Sequence, residues 1–297
     1  MAKENIPVYD ICSISKEPGT SDEFLADRFS SYLEKYYQHL HFPHRHSFYH
    51  LVLFTKGKGT HSIDFTTFDI KPFQLYAMIP GQVHSWHFEG PMEGFIINFS
   101  ENFFKSFLQH PHYIDRFPFF SGISEEGVCQ LPGDLHKQAT QLLESILTYS
   151  GHDWKNHVDM VRVLLLQLFM LIDNSLAAHN VKTIPQQKLI LLRGFRRLID
   201  THYRSIRLPK EYADLLYVTP NHLNALCQDL LGKTAGELIR VRVLLEAKRL
   251  LTNARMTVTE IAYDLNFQDN SYFNRFFKKD TGMTPEEFRK QFHTENK

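Results

Sequence analysis

The chain has 297 residues, with 33 basic and 33 acidic side chains, and 43% of its residues are hydrophobic. This length and composition exclude a disordered or fibrous chain and predict a globular protein with two cores. The three cysteines are far apart and fit neither a disulfide framework nor a Cys-x-x-Cys metal motif, which predicts a reducing, cytoplasmic location. No signal peptide is predicted, and the longest apolar run, residues 163–172, is too short to span a membrane.

Charge is distributed unevenly along the chain. Residues 185–297 carry 19 basic and 13 acidic side chains, whereas residues 1–184 carry 14 and 20. A basic C-terminal part beside an acidic N-terminal part is typical of a nucleic-acid-binding domain joined to a domain with another role.

Residues 1–100 are predicted to form mainly strands. Runs of β-branched and aromatic residues are separated by glycine and proline, at 49–55, 60–65, 74–79 and 94–99. Several short strands at regular spacing predict a small β-barrel or jelly roll.

The predicted barrel contains a cluster of histidines. The pattern His44-x-His46-x3-His50, followed later by His84, resembles the metal site of the cupin family, where an HxH pair, a carboxylate and a distant histidine hold one ion. His50 stands where that family has glutamate, and Gln38 and Gln74 stand where it usually has glycine. The incomplete motif favours a ligand pocket or a hydrogen-bonded barrel mouth over a metal site, and no cofactor is predicted. If a metal binds, its candidate ligands are His44, His46, His50 and His84.

A small ligand, such as a sugar or another polar ring compound, is expected inside the barrel. Imidazole and aromatic side chains suit such a molecule. The candidate lining residues are His44, His46, His50, Tyr76, His84 and Trp86. Two alternatives remain open here: a barrel packed solid with side chains, and a pH sensor built from the histidines.

Residues 101–184 are predicted to be mostly helical. A short helix over 101–109 precedes a loop rich in proline, phenylalanine and glycine, and two amphipathic helices follow over about 134–149 and 156–175. The second helix has an apolar face too broad for one neighbour, which favours a homodimer through these two helices; packing within its own domain is the alternative. Residues 174–185 have the composition of a linker.

Residues 186–297 are predicted to be entirely helical, with helices over 187–202, 208–217, 221–231 and 235–252 and three more within 257–289. Capping boxes begin at Thr257 and Thr284, and Asp269 can cap the helix between them. Asn266 is expected at a left-handed turn position, with Phe267 filling the turn. The middle helix should turn four aromatic residues inward: Tyr272, Phe273, Phe276 and Phe277.

The two halves of this region repeat each other. Gly232, Thr234 and Glu237 recur 50 residues later as Gly282, Thr284 and Glu287, and upstream of the turn the offset is 49. A helix of about 18 residues, roughly 27 Å long, would separate two reading helices by about one ~34 Å turn of DNA. The repeat therefore predicts two helix-turn-helix units, at 208–232 and 257–282.

A longer motif of the second unit resembles the signature of the AraC/XylS family of bacterial transcription regulators. It reads Ile261-Ala262-x3-Asn266-Phe267-x4-Tyr272-Phe273-x2-Phe276-Phe277-Lys278-Lys279-x2-Gly282-x-Thr284-Pro285-x2-Phe288-Arg289, with Asn266 where the family usually has glycine. The resemblance implies an α+β multidomain protein. Its N-terminal domain, residues 1–180, would comprise a cupin-like β-barrel over about 1–100 followed by helices over about 101–178. Its C-terminal all-α domain, residues 186–297, would carry two helix-turn-helix units joined by a long helix. The resemblance further implies a cytoplasmic homodimer that binds promoter DNA, activates or sometimes represses transcription, and responds to a small molecule; RNA polymerase is a possible partner.

The matching positions predict which residues read DNA. The base-reading candidates are Asn221, Asn224, Ala225, Gln228, Asn270, Ser271, Asn274 and Arg275. The phosphate-binding candidates are Lys233, Lys278 and Lys279. Only the recognition helix of the second helix-turn-helix unit has an exposed arginine and a lysine pair, so this helix is expected to provide most of the affinity for DNA.

One alternative belongs to a different class: a cupin-type metal-dependent isomerase or oxygenase with a helical C-terminal extension. It requires a bound metal and a carboxylate near His44 and His46. The sequence secures neither, so the chain is expected not to be an enzyme and not to bind membranes.

Overall fold

The computed structural model describes residues 6–14, 22–40, 42–110, 113–151, 155–179, 185–252 and 256–295. It divides into two compact units, residues 7–182 and residues 183–297 with 1–6. The division after residue 182 lies within the predicted linker over 174–185. The helix before it extends to His179, so the first part of that predicted linker is helical, and residues 180–184 lie outside the described residues.

The N-terminal unit is built on two five-stranded sheets. One has the order β1-β3-β8-β5-β6 and the other β10-β7-β4-β9-β2, and within the described ranges every strand pair is antiparallel except β1 with β3. The strands are β1 Val8–Tyr9, β2 Phe24–Arg28, β3 His44–His46, β4 Tyr49–Lys56, β5 Gly59–Ile63, β6 Thr66–Asp69, β7 Gln74–Met78, β8 Val83–Phe88, β9 Glu93–Phe99 and β10 Val128–Gln130. A sheet-rich N-terminal unit before an all-helical C-terminal unit confirms the predicted α+β class.

The second sheet is covered on both faces, and this explains the unbroken apolar run in β4. Leu51 and Leu53 belong to a cluster shared with the helices of this unit, whereas Val52 and Phe54 belong to a cluster shared with the first sheet. Successive side chains of a strand point to opposite faces, so a strand buried on both faces needs an apolar residue at every position.

The helices of the N-terminal unit are α1 Ile11–Ile14, α2 Phe29–Leu40, α3 Ser124–Gly127, α4 Gly133–Ser150 and α5 His157–His179. Helix α2 corrects the prediction that residues 1–100 form mainly strands. Its aromatic residues resemble a strand by composition, although Phe29 and Tyr32 recur at helical spacing and are both buried. The helix expected over 101–109 is wrong. Residues 101–107 form turns with hydrogen bonds three residues apart, such as Phe103 N to Ser100 O at 3.2 Å.

The broad apolar face of α5 is covered largely within its own unit. Phe169 is fully buried, and its ring lies 5.3 Å from Phe120 and 5.5 Å from Phe117, both in the phenylalanine-rich loop before α3. Val163 and Met170 remain 48% and 42% exposed. The phenylalanine-rich loop therefore covers part of the apolar face of α5, and the homodimer through α4 and α5 stays a prediction.

The described residues of the C-terminal unit form seven helices around one core: α6 Gln186–His202, α7 Pro209–Leu215, α8 Pro220–Leu231, α9 Ala235–Leu251, α10 Val258–Asp264, α11 Asn270–Thr281 and α12 Pro285–Glu295. The central helix α9 contacts α7 and α8 and also α10 and α11. In the described part of the chain, none of the helices combines the length and the apolar character needed to cross a membrane.

Candidate nucleic-acid interface and histidine cluster

The turns between α7 and α8 and between α10 and α11 have the same backbone. Tyr217 and Asn266 both have left-handed conformations, with φ of 55° and 56°. One residue later, Val218 N donates to Ala213 O at 3.0 Å, and Phe267 N makes the matching bond to Ala262 O at 2.9 Å. Asparagine tolerates this conformation, whereas a bulky residue such as Tyr217 adopts it at a cost. Asn266 therefore occupies the left-handed turn position predicted for it.

Both reading helices begin and end with the same devices. Thr219 accepts from His222 N at 3.1 Å at the start of α8, and Asp269 accepts from Tyr272 N at 2.6 Å at the start of α11. The helices end at left-handed glycines, Gly232 and Gly282. These side-chain caps satisfy backbone N–H groups that would otherwise lack partners, so both helices have a defined start.

On α8 the predicted base-reading residues Asn221, Asn224, Ala225 and Gln228 are all exposed. Asn224 also has a structural role, because its Oδ1 accepts a hydrogen bond from the N–H of Ala235 at 3.1 Å. Ala235 is the first residue of α9, whose N–H has no partner inside the helix. One side-chain atom of Asn224 is therefore engaged within the protein.

On α11 the predicted base-reading residues differ in exposure. Ser271 and Arg275 are exposed, whereas Asn270 and Asn274 are half-buried and bond to each other. Asn274 Nδ2 donates to Asn270 O at 2.7 Å and to Asn270 Oδ1 at 3.0 Å. Residue 285, which corresponds to Ala235, is a proline without an N–H, so Asn274 cannot make the bond that Asn224 makes.

The expectation that Tyr272 faces inward is wrong. Its side chain is 55% exposed, whereas Phe273 and Phe277 are fully buried. One residue before Phe273 corresponds to about 100° around the helix, which places Tyr272 at the edge of the buried stripe. Its ring lies 5.8 Å from that of Phe267. Tyr272 thus joins the exposed face of α11, beside Ser271 and Arg275, and its counterpart His222 on α8 is exposed as well.

The predicted phosphate-binding lysines, Lys233, Lys278 and Lys279, are all exposed. Asp229, the counterpart of Lys279 on α8, forms an ion pair with Lys188 of α6 at 2.7 Å. The end of α8 therefore carries an acidic group where the end of α11 carries a basic one.

A charged network connects α6 to α9. Arg242 Nε donates to Asp200 Oδ1 at 2.7 Å, and the guanidinium carbon lies 4.0 Å from the centre of the Tyr203 ring. Burial raises the pKa of the Asp200 carboxyl against the opposing effect of Arg242. Burial also acts to lower the pKa of Arg242, but Asp200 and Glu246 reverse the sign and raise it. The pair holds α9 against the end of α6.

In the N-terminal unit five histidine side chains meet between the two sheets. His84 Nε2 lies 2.8 Å from His46 Nε2, and His84 Nδ1 lies 3.0 Å from His61 Nε2. Two further rings are anchored from outside: His44 Nδ1 lies 2.8 Å from Phe42 O, and His50 Nδ1 lies 2.7 Å from Asn98 Oδ1. All five side chains are at most 2% exposed.

Burial keeps these imidazoles neutral. It lowers the pKa of His44 to about 4 and that of His50 to about 3. It lowers the pKa of His46, His61 and His84 well below the ordinary value, and the neighbouring histidines add to the effect. A cluster of this kind excludes positive charge and presents nitrogen lone pairs instead.

The structure brings together the six residues predicted to line a ligand site. Trp86 lies 5.0 Å from His84 and 5.8 Å from His50 between ring centres, and Tyr76 lies 4.7 Å from His61. Each of the six side chains is at most 4% exposed. A ligand among them would require side chains to move apart.

Two residues of this site, His61 and Asn98, are not among those that the sequence predicts for it. His61 lies on β5 opposite Trp86 of β8, and Asn98 lies on β9 opposite His50 of β4. The alternation of β5 puts His61 on the same face as Ile63, which was a usable signal. Nothing local marked Asn98, because its role depends on the pairing of strands distant in sequence.

The enzyme alternative requires a carboxylate beside His44 and His46. Among the described residues, the group whose atoms come close enough to hold an ion consists of His44, His46 and His84, with no carboxylate. His50 occupies the place where cupins have glutamate, and its ring stacks on His46 with centres 4.9 Å apart. The geometry does not favour the enzyme alternative.

Comparison with known proteins identifies both units. Residues 30–151 match the model of the AraC-like ligand binding domain, and residues 212–291 match that of a helix-turn-helix domain. The HTH-type transcriptional activator RhaR of Escherichia coli is 23% identical over 260 residues, which cover 86% of this chain and 89% of RhaR. The uncharacterized HTH-type transcriptional regulator YijO of Escherichia coli is 33% identical over 105 residues, which cover 35% of this chain and only 37% of YijO.

Solved structures also resemble the chain. Fatty-acid-bound ToxT from Vibrio cholerae covers 92% of this chain, and 97% of ToxT is covered, at a TM-score of 0.43 and 12% identity. The DNA-binding domain of AdpA, solved with target DNA, covers 35% of this chain, and 94% of that domain is covered, at a TM-score of 0.33 and 17% identity.

Proposed function

The chain belongs to the AraC family of transcriptional regulators, with a ligand-binding domain and a helix-turn-helix DNA-binding domain, and we propose that it binds promoter DNA through both of its helix-turn-helix units. Helices α8 and α11 enter adjacent major grooves of double-stranded DNA. The side chains on their exposed faces contact base edges, and the lysines at their ends contact phosphates.

The exposed face of α11 is the observation that carries this proposal. Ser271, Arg275 and Lys278 stand on that face, while Phe273 and Phe277 fix the opposite face in the core. A guanidinium can donate two hydrogen bonds to O6 and N7 of guanine, which makes Arg275 the principal base reader. Lys278 and Lys279 contact the backbone and set the register.

The two units contribute unequally to DNA binding. The position equivalent to Arg275 on α8 is Ala225, and the position equivalent to Lys278 is Gln228. Asn224 gives its side-chain oxygen to Ala235, and Asp229 places an acidic group near the end of the helix. Helix α11 therefore supplies most of the affinity, and α8, with Asn221, Asn224, Ala225 and Gln228, refines the site.

The N-terminal unit regulates DNA binding. A small molecule, a sugar or another polar ring compound, binds among the imidazole and aromatic side chains of the two sheets. RhaR is named as an activator, which supports an activating role here. The chain acts in the cytoplasm as a homodimer through α4 and α5, and RNA polymerase is its partner at the promoter. It works without catalysis and away from membranes.

The direct test is to recover genomic fragments bound by the full-length protein, sequence them, and measure binding by gel shift. Arg275→Ala should weaken binding to the recovered site by about 1–3 kcal/mol and relax the preference at one base pair. Lys58→Ala removes an exposed charge from the loop between β4 and β5 in the N-terminal unit and should leave affinity unchanged. An equal loss on every sequence would assign Arg275 to phosphate, and no loss would remove it from the interface.

A further inference from the structure

The histidine cluster has a feature that a ligand-lining role does not require: its nitrogen atoms converge. The imidazole nitrogens of His44, His46 and His84 lie within 4.8 Å of one another, and all three side chains are buried. We propose that His44, His46 and His84 form a binding site for a divalent transition-metal ion of the zinc type. This inference concerns the ion alone and does not depend on DNA binding.

The spacing of the nitrogens fits such an ion. Imidazole nitrogens bind zinc at about 2.1 Å, so two ligands of a tetrahedral ion are roughly 3.4 Å apart. Nε2 of His46 and Nε2 of His84 are 2.8 Å apart, and the whole set spans at most 4.8 Å. Small rotations of the rings bring the three nitrogens to the required separation, and the ion replaces the hydrogen bond between His46 and His84.

The outer nitrogens of two ligands are held as in known metal sites, where a ligating histidine donates its other N–H to a neighbouring acceptor. His44 Nδ1–H donates to Phe42 O at 2.8 Å, which leaves the lone pair on Nε2. His84 Nδ1 lies 3.0 Å from His61 Nε2. With His84 Nδ1–H as the donor of this hydrogen bond, the lone pair of His84 is on Nε2 as well. His44 Nε2 has no hydrogen-bond partner among the described residues.

The type of ligand atom supports the same ion. Imidazole ligands suit zinc, copper, iron and nickel, and a site of three histidines leaves a further coordination position. His50, whose ring centre is 5.1 Å from that of His84, is the nearest additional imidazole, and Asn98 holds its Nδ1. We assign His61 as a positioning residue, which orients His84 without touching the ion.

The test uses full-length protein without a histidine tag. Protein purified from zinc-supplemented cells, and separately chelator-treated protein incubated with Zn²⁺ or Co²⁺, is passed through gel filtration and its metal content measured. We expect one ion per chain and a visible Co²⁺ spectrum of tetrahedral character. Using protein loaded in cells ensures that slow entry into a buried site does not imitate absence of binding.

Variants make the assignment specific. His84→Gln and His46→Gln should each weaken Zn²⁺ binding by at least about 100-fold, whereas His87→Gln, an exposed histidine on the same strand, should bind like the wild type. His61→Gln should weaken binding by about 10-fold and keep the tetrahedral Co²⁺ spectrum. Circular dichroism and gel filtration verify that each variant is folded.

Two results would overturn the proposal. One is wild-type protein that retains no stoichiometric metal from either preparation. The other is folded His84→Gln and His46→Gln that bind as the wild type does. Gel shifts on the same samples keep the two proposals apart. If the protein retains no metal and still binds its promoter, the ion site is refuted and the proposed DNA-binding function stands.

Discussion

The guanidinium group of Arg207 donates a hydrogen bond to the backbone carbonyl of Leu265. Arg207 lies just before α7, the first helix of the first helix-turn-helix unit, and Leu265 closes α10, the first helix of the second. A second N–H of Arg207 donates to Tyr203 O at the end of α6, and its guanidinium carbon lies 5.0 Å from the centre of the Phe267 ring. The Arg207 side chain therefore satisfies backbone carbonyls at two helix ends and joins the two helix-turn-helix units of the C-terminal unit.

Removing this side chain should destabilise the C-terminal unit. Arg207→Ala eliminates two hydrogen bonds from a charged donor, so we expect the free energy of unfolding to fall by about 2–3 kcal/mol. Arg207→Lys, which keeps the charge without the planar fork, should give an intermediate loss. Urea denaturation measures both, with Lys210→Ala as the control, because Lys210 is exposed nearby. Equal stability of Arg207→Ala and Lys210→Ala would contradict the structural role of Arg207.

Asn224 offers a way to separate helix capping from DNA reading. Asn224→Ala removes the acceptor for Ala235 N–H and should cost about 1 kcal/mol of stability. Asn224→Asp retains an oxygen acceptor at the N-terminus of α9, so it should keep wild-type stability while its negative charge weakens DNA binding. Denaturation and gel shifts on both variants provide the measurement. A loss of stability in Asn224→Asp as large as that in Asn224→Ala would argue against the cap.

Lys278 should act on DNA without regard to sequence. Lys278→Ala removes one phosphate contact, so affinity should decrease by a similar factor at all sites. The slope of log affinity against log salt should become shallower by about one unit. Gln228→Ala, the equivalent change on α8, should leave that slope unchanged. A wild-type slope in Lys278→Ala would exclude the phosphate contact.

The proposed homodimer can be tested on the exposed side chains of α5. Val163 and Met170 are two helical turns apart and lie on one face. Because each retains a large exposed fraction, replacing both with lysine should dissociate the dimer while leaving the unfolding transition nearly unchanged. Sedimentation equilibrium measures the oligomeric state. Glu89→Lys, on an exposed loop, is the control, because it changes the net charge by the same amount as the double variant. A double variant that stays dimeric would place the interface elsewhere.

The helix-turn-helix units were predictable because their signals are local. A capping box, a left-handed residue and a glycine stop act over three to five residues, and each determines a helix end whatever surrounds it. The predicted starts of α8, α9 and α11 accordingly lie within one residue of those observed. The duplicated pattern at offsets of 49 and 50 added evidence that one copy alone could not provide.

Tertiary contacts decided what local patterns leave open. The exposure of Tyr272 follows from which side of α11 the core covers, and the role of Asn224 follows from the position of the next helix. The histidine cluster depends on the pairing of β3, β5 and β8, which brings His44, His61 and His84 to one place. The sequence by itself determined the two DNA-reading units, since their geometry is encoded within short segments. Only the tertiary structure decided how the imidazoles converge, because strand register joins residues that the chain keeps far apart.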